Sequence, residues 1–256
     1  MEKLSAIVLA GNRSQKLNTK TTPPDIFTKI VDVPAIERVV NALSACNEIN
    51  KICLVGPDSR TMAISKLITD LVKRKNVEHL EPAKGPSESA AKAFMIEGSP
   101  TLVTTADHVL LTPDIISDFL KRGLADTAAD FIVGLVPYKY IKEISIKGQR
   151  TILKFEDSHF CGANLFLLKS AKCSNLLQLW AKIEANRKLP WKLANHFGVK
   201  YLIKYKLGRL TSKEAFDTIS KKTDCRTNYV TICDPKAAID VDSWDDLFLA
   251  ESIIKS

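Results

Sequence analysis

The sequence predicts an α/β fold: a mostly parallel sheet, covered by helices on both faces, in three layers. Three observations predict it. Short apolar runs at 6–10, 51–55 and 101–105 alternate with amphipathic helical patterns at 34–45, 60–73 and 87–96, the rhythm of strands joined by crossover helices. The first run breaks at Gly11 into a polar, basic loop. The third run closes on a carboxylate, Asp107, and ligands of such sheets bind beyond the carboxyl ends of the strands.

The elements follow in order. In 34–45, Ile36, Val39, Val40 and Leu43 share one helical face, and Pro34 suits the first turn. Thr112-Pro113-Asp114 supplies a cap and a first-turn proline for a helix over 114–120. Further strands are expected at 131–137 and as a pair, 150–155 and 160–168, around the turn Glu156-Asp157-Ser158. A helical block then runs over about 170–222. It carries Leu176, Leu177, Trp180 and Ile183 at helical spacing, segments at 190–197 and 200–207, and a capping box of Thr211 and Glu214. The segment 201–207 mixes apolar residues with Lys204 and Lys206, a pattern that suits a helix packed on the sheet edge or one lying on a membrane surface. The chain closes with a strand near 229–233, a loop over 234–242 and a helix over 244–254. No repeat or Gly/Ser linker divides it, so one domain over 1–256 is expected, elaborated at about 170–222.

Composition sets the chemical class. The chain has 256 residues and a formal net charge of +8, which favours anionic small molecules, and no Lys/Arg block is long enough to argue for nucleic acid. No apolar run approaches the roughly 20 residues that span a bilayer. The cysteines, Cys46, Cys53, Cys161, Cys173, Cys225 and Cys233, form no C-x-x-C pair and no zinc spacing with histidine. They read as reduced, mostly buried thiols of a cytoplasmic protein without a signal peptide.

Several residues have the chemistry of a nucleotide site. A strand ending in Leu9, Ala10 and Gly11 that runs into Asn12, Arg13, Ser14 and Lys16 offers backbone N–H groups and cations to a phosphate; the loop alone fits an ordinary surface turn equally well. Asp107 is free for Mg²⁺ because Thr112 already caps the next helix. Asp240 and Asp242 lie on one side of the extended run 239–242, Asp242 doubling as a helix cap and Asp240 without such a local role. Asp107 and Asp240 together suit Mg²⁺, which takes few protein carboxylates and completes its shell with phosphate oxygens and water. Gly85 and Ser87 open a helix where a planar base could approach the backbone, or where Ser87 simply caps. Gly162 permits a further close approach, and Asn164 enters an apolar strand where it needs a partner, either substrate or backbone. His108 is expected to be a packed, hydrogen-bonded residue.

These residues resemble a family. L-A-G-N-R-S-Q-K-L is similar to the L-A-G-G-x-G-x-R signature of nucleotidyltransferases, above all the molybdenum-cofactor guanylyl/cytidylyltransferase-like group with its glycosyltransferase-A-type, Rossmann-like fold. The likeness continues in order through V-P-A-I-E-R-V-V, G-P-S-E-S-A-A-K-A-F, T-A-D-H-V-L-L-T-P, F-C-G-A-N-L-F-L-L and A-I-D-V-D-S-W-D-D-L, and so covers most of the chain. It implies Mg²⁺-dependent attack of an acceptor oxygen on the α-phosphorus of a nucleoside triphosphate. By position, Leu9–Ser14 would cradle the nucleotide, Lys16 would replace the signature Arg on the triphosphate, and Gly85 and Ser87 would flank the base. Asp107 and Asp240 would hold Mg²⁺, and Gly162 and Asn164 would face a small phosphorylated or hydroxylated acceptor. Asn12 and Ser14 stand in place of signature glycines, and Asp25 stands about where the family has a Lys. Lys29 or Arg13 is then expected to supply that cation, with Asp25 turned away. The same pattern also fits a non-catalytic nucleotide-binding regulator on this fold. A sugar-nucleotide-dependent glycosyltransferase fits less well, because the D-x-D pair is absent at Asp107.

Overall fold

The computed structural model describes residues 3–11, 24–74, 76–144, 151–186 and 198–256. The strands are β1 (Leu4–Leu9), the two-residue β2 (Lys29–Ile30) and β3 (Val33–Pro34), β4 (Ile49–Val55), β5 (Val77–Leu80), β6 (Thr101–Thr105), β7 (Phe131–Pro137), β8 (Ile152–Lys154), β9 (His159–Leu168) and β10 (Thr227–Thr231). The helices are α1 (Ala35–Ser44), α2 (Ser59–Ile64), α3 (Lys66–Val72), α4 (Pro86–Glu97), α5 (Pro113–Ala125), α6 (Tyr138–Glu143), α7 (Cys173–Asn186), α8 (Val199–Lys206), α9 (Ser212–Thr223) and α10 (Trp244–Lys255).

The main sheet runs β10-β7-β9-β6-β1-β4-β5, with β8 on β9. β1 pairs in parallel with β4 and β6, β4 with β5, and β7 with β10. Among the described residues, antiparallel pairing enters this sheet through β9, which lies against β6, β7 and β8. From β1 the chain steps outward to β4 and β5, then returns to β6 on the other side of β1. Beyond the carboxyl ends of β1 and β6 is therefore the switch point at which open α/β sheets bind ligands.

Side-chain alternation splits the core into two layers. Ala6 and Val8 face α1 and α5, through Ile36, Val39, Leu43, Ile116 and Phe119. Ile7 and Leu9 face α4 and α7, through Ala90, Ala93, Phe94 and Leu177. The three-layer α/β architecture with a helical elaboration is thus the one expected. α5 begins where the cap predicts, Thr112 accepting from the Ile115 amide at 3.3 Å, and α9 has the Thr211–Glu214 capping box.

Some boundaries differ. The helix expected over 60–73 is two helices, because Ser65 is extended and its hydroxyl caps α3 at the Ile68 amide. Ser243, in a box with Asp246, caps α10, so Asp242 is not the cap. The edge strand β5, the β2–β3 ribbon and α6 are short pieces whose apolar patterns are too brief to read as elements. α8 rests on the sheet edge through Tyr205, whose ring meets Phe155 edge-on at 6.2 Å. The segment expected at 190–197 lies outside the described residues.

Candidate functional site

Local geometry places the end of β1 directly beside Asp107. Leu9 pairs with Thr105, and its carbonyl accepts from the Ala106 amide at 3.1 Å. Ala10 donates to Val55 at 2.9 Å. Gly56, at φ 89°, packs so closely that a Cβ there would lie 3.0 Å from the Ala10 carbonyl oxygen. Only glycine combines that backbone with that approach, so the entry to the loop is clamped between β4 and β6. Gly11 is exposed, and a Cβ on it would meet no described atom. Asn12, Arg13, Ser14 and Lys16 lie outside the described residues.

Asp107 is half-buried at the rim. The Thr105 hydroxyl donates to its Oδ1, fixing the carboxylate's orientation. The Val241 amide donates to the Asp107 carbonyl at 3.1 Å, which seats the segment bearing Asp240 against the segment bearing Asp107. One apolar cluster locks both in place: Val109 and Leu110 after Asp107, Ile239 and Val241 around Asp240, Ile30 of β2, and Leu247 and Ala250 of α10. Asp240 is likewise half-buried. No group of three or more His, Cys, Asp or Glu side chains gathers for a metal among the described residues.

Asn164 joins this site from β9. It has φ 46°, a left-handed conformation that Asn tolerates better than most residues, where the β7 pairing is irregular between Val133 and Leu135. Its Nδ2 donates to Thr105 Oγ1 at 3.4 Å and lies 2.8 Å from His108 Nε2. The Thr105 proton is committed to Asp107, so Thr105 can only accept from Asn164. The Asn164 amide nitrogen therefore donates, His108 Nε2 accepts, and the His108 proton sits on Nδ1. That atom is buried without a partner among the described residues, as is Thr104 Oγ1. His108 is 1 % exposed, a packed residue as expected. Gly162, two residues before Asn164 on the same strand face, is exposed, and a Cβ there would meet nothing.

The other expected residues sit apart from this chain of bonds. Asp25 is used locally: its carboxylate accepts from the Phe27 amide at 2.9 Å and the Thr28 hydroxyl at 3.1 Å. Lys29 is exposed on the β2–β3 ribbon. Arg38 Nε donates to the Ile30 carbonyl at 2.9 Å, and Glu251 accepts from the Val31 amide at 3.2 Å. Gly85 is the N-cap of α4. Ser87 donates to Glu184 of α7 through both its amide, at 3.1 Å, and its hydroxyl. A carboxylate from the helical elaboration thus satisfies the first turn of α4. Glu184 carries no motif, and its partner lies far away in sequence, so no local pattern could have found it.

This rim lies at the switch point where open α/β sheets of this topology bind ligands. The sequence model of the MobA-like NTP transferase domain matches residues 6–143, more than half of the chain, and the chain belongs to that family. No curated protein sequence matches it. Among solved structures, a hypothetical transferase from Thermus thermophilus is similar at 24 % identity and TM-score 0.76, covering 96 % of this chain and 99 % of that one. The 4-diphosphocytidyl-2C-methyl-D-erythritol synthase of Anaerococcus prevotii is similar at 14 % identity and TM-score 0.56, over 100 % and 97 % of the two chains. A CMP:2-keto-3-deoxy-manno-octonic acid synthetase complexed with CTP is similar at 12 % identity and TM-score 0.56, over 100 % and 99 %. At these identities the likeness establishes the fold, and the family match establishes an NTP transferase domain.

Proposed function

We propose that the protein is a Mg²⁺-dependent nucleotidyltransferase that moves a nucleoside monophosphate from a triphosphate to a small phosphorylated or hydroxylated acceptor. The observation that carries this reading is the bond from Val241 to the Asp107 carbonyl at 3.1 Å. It holds two carboxylate-bearing segments from distant parts of the chain together at the switch point of a sheet of the NTP-transferase family.

The donor set fits Mg²⁺. Asp107 and Asp240 are half-buried carboxylates, and an ion that takes one or two protein carboxylates leaves the rest of its shell to phosphate oxygens and water. Bound there, the ion would neutralise charge on the phosphates. The residues of the chain do the remaining work by positioning. Thr105 holds the Asp107 carboxylate in one orientation. The backbone of Leu9, Ala10, Gly11, Asn12 and Ser14 cradles phosphates, with Lys16, Arg13 and Lys29 as the cations on the triphosphate. Gly85 and Ser87 lie toward the base, and Gly162 and Asn164 face the acceptor. An acceptor oxygen bonds to the α-phosphorus, the bond to the bridging oxygen breaks, and pyrophosphate leaves with that electron pair.

The test pairs each common nucleoside triphosphate with a panel of phosphorylated and hydroxylated acceptors. Melting temperature with and without Mg²⁺ and pyrophosphate release are read together. The expected result is a Mg²⁺-dependent rise in melting temperature and pyrophosphate from at least one pair. Nucleotide binding without pyrophosphate from any pair would replace this reading with the regulatory one.

A further inference from the structure

Helix α8 packs one face on the sheet edge and leaves the other to solvent. Its inner face is Tyr201, Leu202 and Tyr205, all half-buried. The Tyr205 ring meets Phe155, and its hydroxyl accepts from the Lys154 amide at 3.3 Å. The outer face is an apolar stripe: Val199 is 60 % exposed, Ile203 52 % and Leu207 63 %. Leu207 keeps the helical spacing, since its amide donates to the Ile203 carbonyl at 3.0 Å. Spaced four apart, the three fall within an arc of about 80°, and Lys206 and Lys200 stand about 20° beyond its two edges.

Charge on this face has one sign. Lys200, Lys206 and, just past the helix, Arg209 are exposed, and the run 199–210 contains no Asp or Glu. Of the acids at this edge, Glu214 is engaged by Lys204 at 2.5 Å and by the Thr211 amide at 3.3 Å, and Asp157 by the Ser212 hydroxyl at 2.6 Å. Glu156 is exposed beyond the C-terminal end of α8, its amide donating to the Leu210 carbonyl at 2.9 Å. A second copy seated on the stripe would bring lysines against lysines, and three side chains fall far short of the roughly 800 Å² per partner of a stable protein interface. A lipid surface needs no such area. Lysines on both flanks of a narrow apolar stripe lay their stems along it and keep their ammonium groups among the head groups.

We propose that the outer face of α8 docks on an anionic phospholipid bilayer. Val199, Ile203 and Leu207 enter the boundary between head groups and acyl chains, and Lys200, Lys206 and Arg209 meet lipid phosphates. The helix lies in the plane of the surface: its eight residues span about 12 Å, and no helix among the described residues is long and apolar enough to cross a membrane. This docking is independent of the nucleotidyltransferase reading.

The full chain is sedimented with large vesicles of phosphatidylcholine alone and of phosphatidylcholine with about one-third phosphatidylglycerol, and partitioning is expected to be at least about ten-fold stronger on the anionic ones. Lys200→Gln with Lys206→Gln should weaken it by about 25-fold at low salt, about five-fold for each lysine. A chain of net charge +8 is drawn to any anionic surface, so the deciding variant is one that leaves charge alone. Ile203→Gln with Leu207→Gln changes only exposed apolar groups and should lose about ten-fold in partitioning with the melting temperature unchanged. Equal binding to both vesicle types, no binding to either, or undiminished binding of the folded glutamine pair would overturn the proposal. So would a dimer seen by sedimentation velocity without lipid and abolished by the glutamine pair, which would give the stripe to a second copy. The comparison of vesicles and the lysine pair decide the matter even if the glutamine pair fails to fold.

Discussion

The amide of Val241 donates to the carbonyl of Asp107 at 3.1 Å, and this one backbone bond ties the end of the central strand β6 to the loop before the last helix. Because it is a backbone bond, it survives replacement of either neighbouring carboxylate. Asp107→Asn therefore keeps the frame and removes a charge. We expect it to lower nucleotidyl transfer by about 100-fold, the scale on which losing one charge-stabilising group is felt. Its melting temperature should change little. Full activity in Asp107→Asn would remove this residue from the proposed Mg²⁺ site.

Asn164 presents a separable cost. Asn164→Ala loses the bonds to Thr105 and His108 and places a Cβ residue at φ 46°. Asn164→Gly loses the same bonds without the conformational penalty of about 1–2 kcal/mol. Urea unfolding should therefore rank the two variants with Gly the more stable, although glycine is the more flexible residue unfolded. The reverse order would mean that the left-handed backbone is not retained in solution.

The Glu184–Ser87 contact should be worth about 1 kcal/mol, as other helix caps are. Glu184→Ala and Ser87→Ala each destabilise on this account. Ser87→Ala loses only the hydroxyl bond, while Glu184→Ala loses both the hydroxyl and the amide bond, so the double variant should cost about what Glu184→Ala costs alone, less than the sum of the two singles. Strict additivity in denaturant unfolding would show the two residues acting independently.

A pH effect follows from Glu48, which lies outside the site. The Ser117 hydroxyl at 2.6 Å and the Cys46 thiol at 3.0 Å both donate to its carboxylate, and together with Lys121 they pull its pKa down to about 2. A carboxylate depressed in the folded state contributes stability that is fully present above its unfolded value, near 4.5, and is lost as pH falls toward about 2. Glu48→Gln should thus flatten the acid limb of the stability curve between those values. Equal acid sensitivity in the variant would assign the loss to other groups.

Lys16 carries the last prediction, on its place in the signature loop. Lys16→Ala is expected to weaken triphosphate binding while leaving nucleoside affinity nearly unchanged, because a desolvated, charge-assisted contact is worth more than the ~1 kcal/mol ceiling of an exposed pair. Equal losses for nucleoside and triphosphate would make Lys16 a surface residue.

The sheet was legible because its strands and helices carry their periodicity locally. Ile36, Val39, Val40 and Leu43 announce α1, and the caps Thr112 and Thr211 mark helix starts that the structure retains. The break at Ser65 was less legible, because a serine in an otherwise helical pattern reads as tolerated until its hydroxyl is seen capping the next helix. The role of Asn164 was half legible: an amide in an apolar strand demanded a partner, but which partner depended on β9 lying beside β6.

By itself the sequence determined the order of the longer strands and helices, the rim to which Gly11 and Asp107 belong, and the likeness to NTP transferases. Those depend on patterns spanning a few residues and on strand ends that any parallel sheet gathers on one side. Tertiary structure alone decided that Val241 bonds to Asp107, that Glu184 caps the helix at Ser87, and that an apolar cavity opens between β9 and α7. Each of these contacts joins residues far apart in the chain. Only packing of the two core layers determines which distant segments meet, and no local periodicity records it.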